Sequence, residues 1–411
     1  MALNKRTLLL AAAIAGAGVI VLFLAQDPGN SAQQEDGTPV MSDKDLRVEL
    51  VAEGLSFPTS MRFLGDDILV LQKEGQVRLV SQGELYEKPI LQLDVASGAE
   101  QGLLGIAGRQ DSVLLYFTAS DAGELKNRIF KYDYDRDERV LANGTLVMDL
   151  PGEPGPFHNG GKIAIGPDGY LYAVIGDTNA GGGMLDNEVS GRGPDDKSVI
   201  LRVDRETGAA VEGSPFYGDE KLARYYAYGI RNSFGMDFDP VSGRLWMTEN
   251  GPDEYDEINV VTPGFNSGWH KITGPIARSN ATLGDLVMFE GAAYRDPAFS
   301  WQLPVGVTDI EFFESGKLGE QYKNNIFVGD VNHGNLYLFQ VDGDRTGLHF
   351  AQPELVDLVA DTEQQGDKLK SEAESVIVGK NFGRITDIET GPDGLLYILA
   401  YEDGKIYRVA R

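Results

Sequence analysis

Several polar side chains stand at the same kind of place in this chain, just ahead of a strand-like run. His158 leads HNGGKIAIGPDGYLYAVIGD, Gln101 leads QGLLGIAGRQ, Arg231 and Asn232 lead RNSFGMDFDP, and Arg384 stands at the head of GRITDIETGPDG. An imidazole can take and return a proton near neutral pH, and guanidinium and amide groups can hold an anion. Brought together, they describe a site that moves a proton and grips an anionic ligand. A lone histidine is more often a structural one, so convergence is what makes His158 a candidate. The stretch around Trp301 is expected at a fifth such position. A second cluster lies in TENGPDEYDEIN, where Glu249, Asp253, Glu254, Asp256 and Glu257 crowd a Gly251-Pro252 turn. Oxygen donors at a tight turn suit Ca²⁺ and not zinc or copper. The spacing is not that of an EF-hand, and a solvated acidic loop reads the same carboxylates equally well.

Convergence requires a fold that brings distant strand starts to one point. In the leading unit, Ile163 and Ile165 alternate before a Gly-Pro-Asp-Gly turn, and Leu171, Ala173 and Ile175 alternate after it, as in a hairpin. Similar strand–turn–strand units begin near Phe57, Gln101, His158, Arg231, Leu303 and Arg384. Six units of roughly 60 residues, each with about four short strands, predict an all-β, six-bladed β-propeller. A sandwich array would not repeat a turn-bearing unit so often, and a β-helix needs a much shorter repeat. LRVELVA, ahead of the first unit, is the expected closing strand that completes the last blade and covers its edge. In such a ring the first strand of every blade lines the axis, so the leading residues meet there.

Composition narrows the function. Of 411 residues, 63 are acidic and 36 basic, giving a net charge of -27. That excludes a nucleic-acid partner, which needs a basic face. Without cysteine there are neither disulfides nor thiolate metal sites. Lys5 and Arg6 precede an apolar run from Leu8 to Ala25. At roughly 18 residues this run is just long enough to span a bilayer. Residues 1–25 read as a signal anchor, with a cleaved signal ending near Ala25 as the alternative; both place the body outside the cytoplasmic membrane. Residues 26–45 read as a flexible tether and 46–411 as the propeller. Membrane contact is expected through the N-terminal segment alone.

HNGGKIAIGPDGYLYAVIGD, YGIRNSFGMDFDP and ENGPDEYDEINVVTPGFNSGW together resemble the soluble quinoprotein glucose/sorbosone (aldose sugar) dehydrogenases, over nearly all of the chain after the tether. The resemblance implies a sugar substrate, pyrroloquinoline quinone (PQQ) and Ca²⁺ as cofactors, and an external electron acceptor. It implies that His158 is the general base and that Arg231 polarises the quinone. Gln101 and Asn232 would hold cofactor or substrate, and Arg384 would pair with a PQQ carboxylate. The carbonyls of Gly251 and Pro252 would bind the cofactor Ca²⁺, and Asp256 and Glu257 a second, structural one. Where the family has a lysine and a second arginine on the cofactor, this chain has Asn332 and Thr386; Asn250 and Ser267 replace a glutamine and a tyrosine. His333, beside Asn332, is a candidate to compensate. A Ca²⁺-dependent lactonase would need several carboxylates in the channel, where the leading positions here are basic or amide. A cofactor-free scaffold binding glycans or a protein partner is the other alternative.

Overall fold

The computed structural model describes residues 37–365 and 368–411. The apolar segment expected as a signal anchor lies outside them, and no described helix is long and apolar enough to cross a membrane. Helix among the described residues is confined to 3₁₀ turns of three to five residues. Everything else that is regular is strand, gathered into six sheets of four to six strands and one separate hairpin.

The first strands of the six sheets pack on one another in a closed ring. Pro58–Leu64 packs on Leu103–Arg109, and the ring continues through Ile163–Ile165, Met236–Phe238, Val307–Phe313 and Ile385–Thr390 back to Pro58–Leu64. This is an all-β propeller, and the ring is its axis. Apolar side chains fill the space between neighbouring sheets: Leu69, Leu71, Val77 and Leu79 of one sheet share a buried cluster with Leu103, Ile106, Val113 and Leu115 of the next. Burial of such side chains, each worth about 1.5–3 kcal/mol, is the main force holding sheet to sheet.

The local chemistry of the turns sets the register. In the unit led by His158, Gly169 adopts φ +83° and its N–H donates to Gly166 O, pairing Ile163 with Ala173 and Ile165 with Leu171. Asp168 Oδ2 then accepts from Tyr172 OH at 3.0 Å and Arg202 Nε at 3.0 Å. The last unit repeats the device: Gly394 has φ +75°, and Asp393 Oδ2 accepts from Tyr397 OH at 3.0 Å and Arg408 at 3.3 Å. A repeated sequence motif has become a repeated turn with its own clamp.

Arg47–Glu53 pairs antiparallel with Lys405–Ala410, giving the last sheet its outermost strand, as LRVELVA predicted. The tether, expected over 26–45, stops sooner. Val40–Met41 pairs with Ile377–Lys380, Met41 is buried, and Tyr322 OH donates to Asp43 at 2.8 Å. Met41 and Leu46 find an apolar cluster to enter, so this end of the segment belongs to the propeller.

Candidate active site

His158 lies five residues ahead of the Ile163–Ile165 strand with φ +58°, a left-handed backbone that costs a non-glycine residue energy and is often found at functional sites. Its surroundings hold it there. The His158 N–H donates to Glu100 Oε2 at 2.6 Å, and Thr178 N–H donates to His158 O at 3.2 Å. Gly176 is what lets the chains close: a Cβ there would lie 2.5 Å from both His158 O and Arg231 O. Asp177, next in line, donates its N–H to Arg231 O at 3.0 Å, so one short segment ties the histidine loop to the arginine loop.

The imidazole Nδ1 meets Asp177 Oδ1 at 2.6 Å. A carboxylate can only accept, so Nδ1 carries a proton, and in the neutral ring the lone pair is then on Nε2. Asp177 is itself held by Asn179 N–H at 2.6 Å and by Trp269 Nε1 at 2.9 Å on Oδ2. Burial works to raise its pKa, but the bonds from His158 and Asn179 bring it below the usual carboxylate value. Asp177 therefore stays ionised and holds the ring in one tautomer. Glu100 accepts from Asn232 Nδ2 at 3.0 Å as well as from His158, and Asn232 Oδ1 accepts from Gly160 N at 3.2 Å. Burial raises the pKa of Glu100, with His158 and Asn232 opposing.

Arg231 is buried, lies over the Trp269 ring at 5.4 Å, and donates through one terminal nitrogen to Asn250 O at 3.0 Å. Among the described residues its Nε has no partner, nor have Gln101 Nε2 and Asn250 Oδ1, all three buried. Buried polar atoms without partners are costly, and each is an unmet contact for a ligand. The acidic turn sits beside Arg231. Glu249 Oε1 accepts from Arg231 N at 2.7 Å, and its Oε2 from Ser267 Oγ at 2.5 Å. Asn259 Nδ2 donates to Glu257 at 2.9 Å and more weakly to Glu249 at 3.4 Å. Burial pushes Glu249 up to about 7, and burial with Glu249's charge pushes Glu257 up to about 8. Around Gly251, the carbonyls of Glu254 and Tyr255 come within 2.2 and 2.4 Å of where a Cβ would stand. The region is an oxygen-rich pocket that Arg231 also lines, with donors of the kind that suit an oxygen-liganded cation. Among the described residues no three Asp, Glu or His side chains converge as a metal site by themselves, so carbonyl and amide oxygens would have to complete it.

Not every expected residue takes its expected place. Asp256 spends both oxygens on backbone, Oδ1 on Gly251 N and Oδ2 on the N–H groups of Val305, Gly306 and Val307 at 2.7–3.1 Å. It anchors the turn and is not placed as a ligand to a structural Ca²⁺. Trp301 does not face the axis: it is fully buried among Phe299, Tyr337 and Phe339, in a strand beyond the third of its sheet. Arg384 pairs with Glu402 at 3.1 Å, both about a third exposed. Thr386 donates to Pro58 O at 2.9 Å, while Asn332 is exposed on the loop after Asp330. His333, also exposed, has its pKa raised by Asp330. Glu100, Asp177 and Trp269 were missed by the sequence reading; Asp177 closes the quoted IGD run, but nothing in the spacing pairs it with His158.

A cavity on the axis is lined by Lys73, Glu100, Gly160, Lys162, Thr386 and Tyr401 among others. Deeper in, the channel is not basic, as the leading residues suggested. Lys162 Nζ bridges Asp309 and Asp387 at 2.7 Å each, and Arg62 meets both oxygens of Glu389 at 2.9 and 3.0 Å. Asp237 and Glu311 share the far cleft with them. These carboxylates face cations and backbone donors, which argues against a metal-dependent hydrolase at this depth.

A family model described as Glucose / Sorbosone dehydrogenase matches residues 55–408. Aldose sugar dehydrogenase YliI of Escherichia coli is 26% identical over 378 residues, covering 89% of this chain and 93% of the relative. The PQQ-bound form of an aldose sugar dehydrogenase from Streptomyces coelicolor superposes with a TM-score of 0.64 at 24% identity, covering 89% of this chain and 98% of the other, and speaks for the fold. The mouse Hedgehog-interacting protein is 29% identical over 188 residues, covering 39% of this chain and 26% of the relative.

Proposed function

The chain belongs to the glucose/sorbosone dehydrogenase family, oxidoreductases acting on CH–OH donors, and from that premise we propose that it oxidises the anomeric or alcohol hydroxyl of a sugar with PQQ at a Ca²⁺ site. The observation that carries the reading is the His158–Asp177 pair, joined through Glu100 to an axial cavity and close to buried polar atoms that have no partner among the described residues. Those atoms, on Gln101, Arg231 and Asn250, are donors and an acceptor of the kinds a carboxylate-bearing quinone and its cation would satisfy, so the residues present fit the group. The quinone, when bound, supplies the hydride acceptor. His158 Nε2 takes the proton of the sugar hydroxyl, and Asp177 steadies the imidazolium that results. Arg231, Gln101 and Asn232 hold the cofactor, Arg384 meets one of its carboxylates, and carbonyls of the Gly251-Pro252 turn with Glu257 serve Ca²⁺. Six-bladed closure belongs to this reading, supported by the ring of six first strands. So does a position outside the cytoplasmic membrane, supported by Lys5 and Arg6 ahead of the apolar run.

The test is reconstitution. Purified protein given PQQ and Ca²⁺ should bind the quinone at equal stoichiometry and reduce an artificial electron-acceptor dye when an aldose is added. Failure to bind PQQ or to turn over any aldose would leave the cofactor-free scaffold, a reading favoured by the loss of cations at Asn332 and Thr386.

A further inference from the structure

The sequence leaves the cofactor's carboxylates short of cations, since Asn332 and Thr386 stand where the family has charge. Arg384 does not make up the difference alone, because Glu402 already offsets part of its charge in a partly exposed pair. The structure brings another cation to the same cavity. Lys73 follows the Asp67–Gln72 strand, and its backbone is pinned on both sides: its N–H donates to Phe57 O and its carbonyl accepts from Leu103 N, each at 3.0 Å. Gly102 makes room for its stem, since a Cβ there would sit 2.8 Å from Lys73 Cγ and 2.6 Å from Lys73 O. The residue is 8% exposed and lines the axial cavity together with Thr386, Tyr401, Glu100 and Gly160. Glu100 and Gly160 are the residues that flank His158, so this cavity opens onto the catalytic loop.

Lys73 Nζ donates to Ser97 O. An ammonium has three N–H groups, so one carbonyl leaves it under-satisfied. Among the described residues no carboxylate forms an ion pair with it; Glu74 and Glu100 act on it from further away, while burial works against its charge. Lys162, the other lysine in the cavity, is already taken by Asp309 and Asp387. A buried cation with so little to offset it is costly to the fold and well placed to meet an anion.

We infer that Lys73 is a cofactor-binding residue that holds a carboxylate of the quinone in the axial cavity, in place of the two cations this chain lacks. The inference rests on the PQQ reading above. It is tested by measuring PQQ affinity directly, by equilibrium dialysis with Ca²⁺ present, for the wild type, Lys73→Met, Lys73→Gln and Arg384→Gln. Lys73→Met keeps the stem and removes the charge; Lys73→Gln also keeps a donor for Ser97 O should the first variant not fold. Loss of one charge-assisted contact should raise Kd about tenfold to a hundredfold in either Lys73 variant. The wild-type affinity should fall as salt rises, and more steeply than in the variants. The already paired Arg384 should matter less. Unchanged Kd in a folded Lys73 variant would overturn the assignment while leaving the PQQ reading intact. A wild type that binds no PQQ would overturn both.

Discussion

At the mouth of the axis, Gln101 Nε2, Arg231 Nε and Asn250 Oδ1 are buried with no partner among the described residues, and Lys73 donates to one backbone carbonyl. At the floor, Lys162 lies between Asp309 and Asp387, Asp387 also accepts from Ser60 Oγ and Met61 N–H, and Arg62 faces Glu389. Arg62 Nε, Asp309 Oδ1 and Thr390 Oγ1 have no hydrogen-bond partner among the described residues there, but both cations of the floor lie in ion pairs. Both regions are built on the same ring of first strands. The difference is how their cations are spent: at the floor Arg62 and Lys162 sit in ion pairs that tie blades together, whereas at the mouth Lys73 and Arg231 form no ion pair among the described residues. The pairing of cations thus separates scaffold from site where residue type alone does not.

The hardest blow to this contrast is aimed at the floor. Lys162→Met strands two buried aspartates, and removing one partner of a buried ion pair costs about 3–5 kcal/mol. Denaturant unfolding should show that loss; a variant as stable as wild type would mean the triad is not structural. Next is the mouth. His158→Ala should lower kcat of the reconstituted enzyme about a hundredfold or more with little change in stability, because the Gly166–Gly169 turn and not the imidazole sets the local register. Full activity in that variant removes the base. Calcium comes third: with Ca²⁺ well above its Kd, linkage should add about 2 kcal/mol relative to excess chelator, read as a shift in thermal unfolding. No shift would leave Thr248 to Asn259 an ordinary acidic loop.

The smallest effect sharpens the floor. Asp237 opens partly onto the far cleft, and its packed surroundings, helped by Glu389's charge, push it up to about 7. Its native pKa is raised, so it contributes stability below about pH 4 that is lost as pH rises through 7. Asp237→Asn should flatten that decline, by on the order of 1 kcal/mol given its partial exposure. An unchanged slope of stability between pH 4 and 8 would show that Asp237 titrates normally.

The units, their turns and the closing strand were legible because each is a local pattern. Period-two alternation, a Gly-Pro-Asp-Gly turn and a leading polar residue all lie within about 20 residues of one another. His158, Gln101, Arg231 and Asn232 were legible for the same reason: each marks the head of a unit. Where the pattern is not local, the reading slipped. Trp301 looked like another leading residue, but an apolar pocket between sheets claimed its ring. Asp256 looked like one more acidic ligand, until Val305, Gly306 and Val307, far along the chain, brought their N–H groups to it.

By itself, then, the sequence determined that this protein is an all-β ring of repeated blades and which loop carries the imidazole. Only the tertiary structure decided which polar groups are spent and which are free. Ser60 meets Asp387 across 327 residues and Lys162 meets it across 225, while His158 N–H finds Glu100 across 58. Such pairings arise from ring closure, which sets strands side by side irrespective of their separation in the chain. A residue's type and its neighbours in sequence cannot say whether its charge will be met on the far side of the axis. That is why Lys162 became part of the frame and Lys73, of the same chemical type, was left facing the cavity.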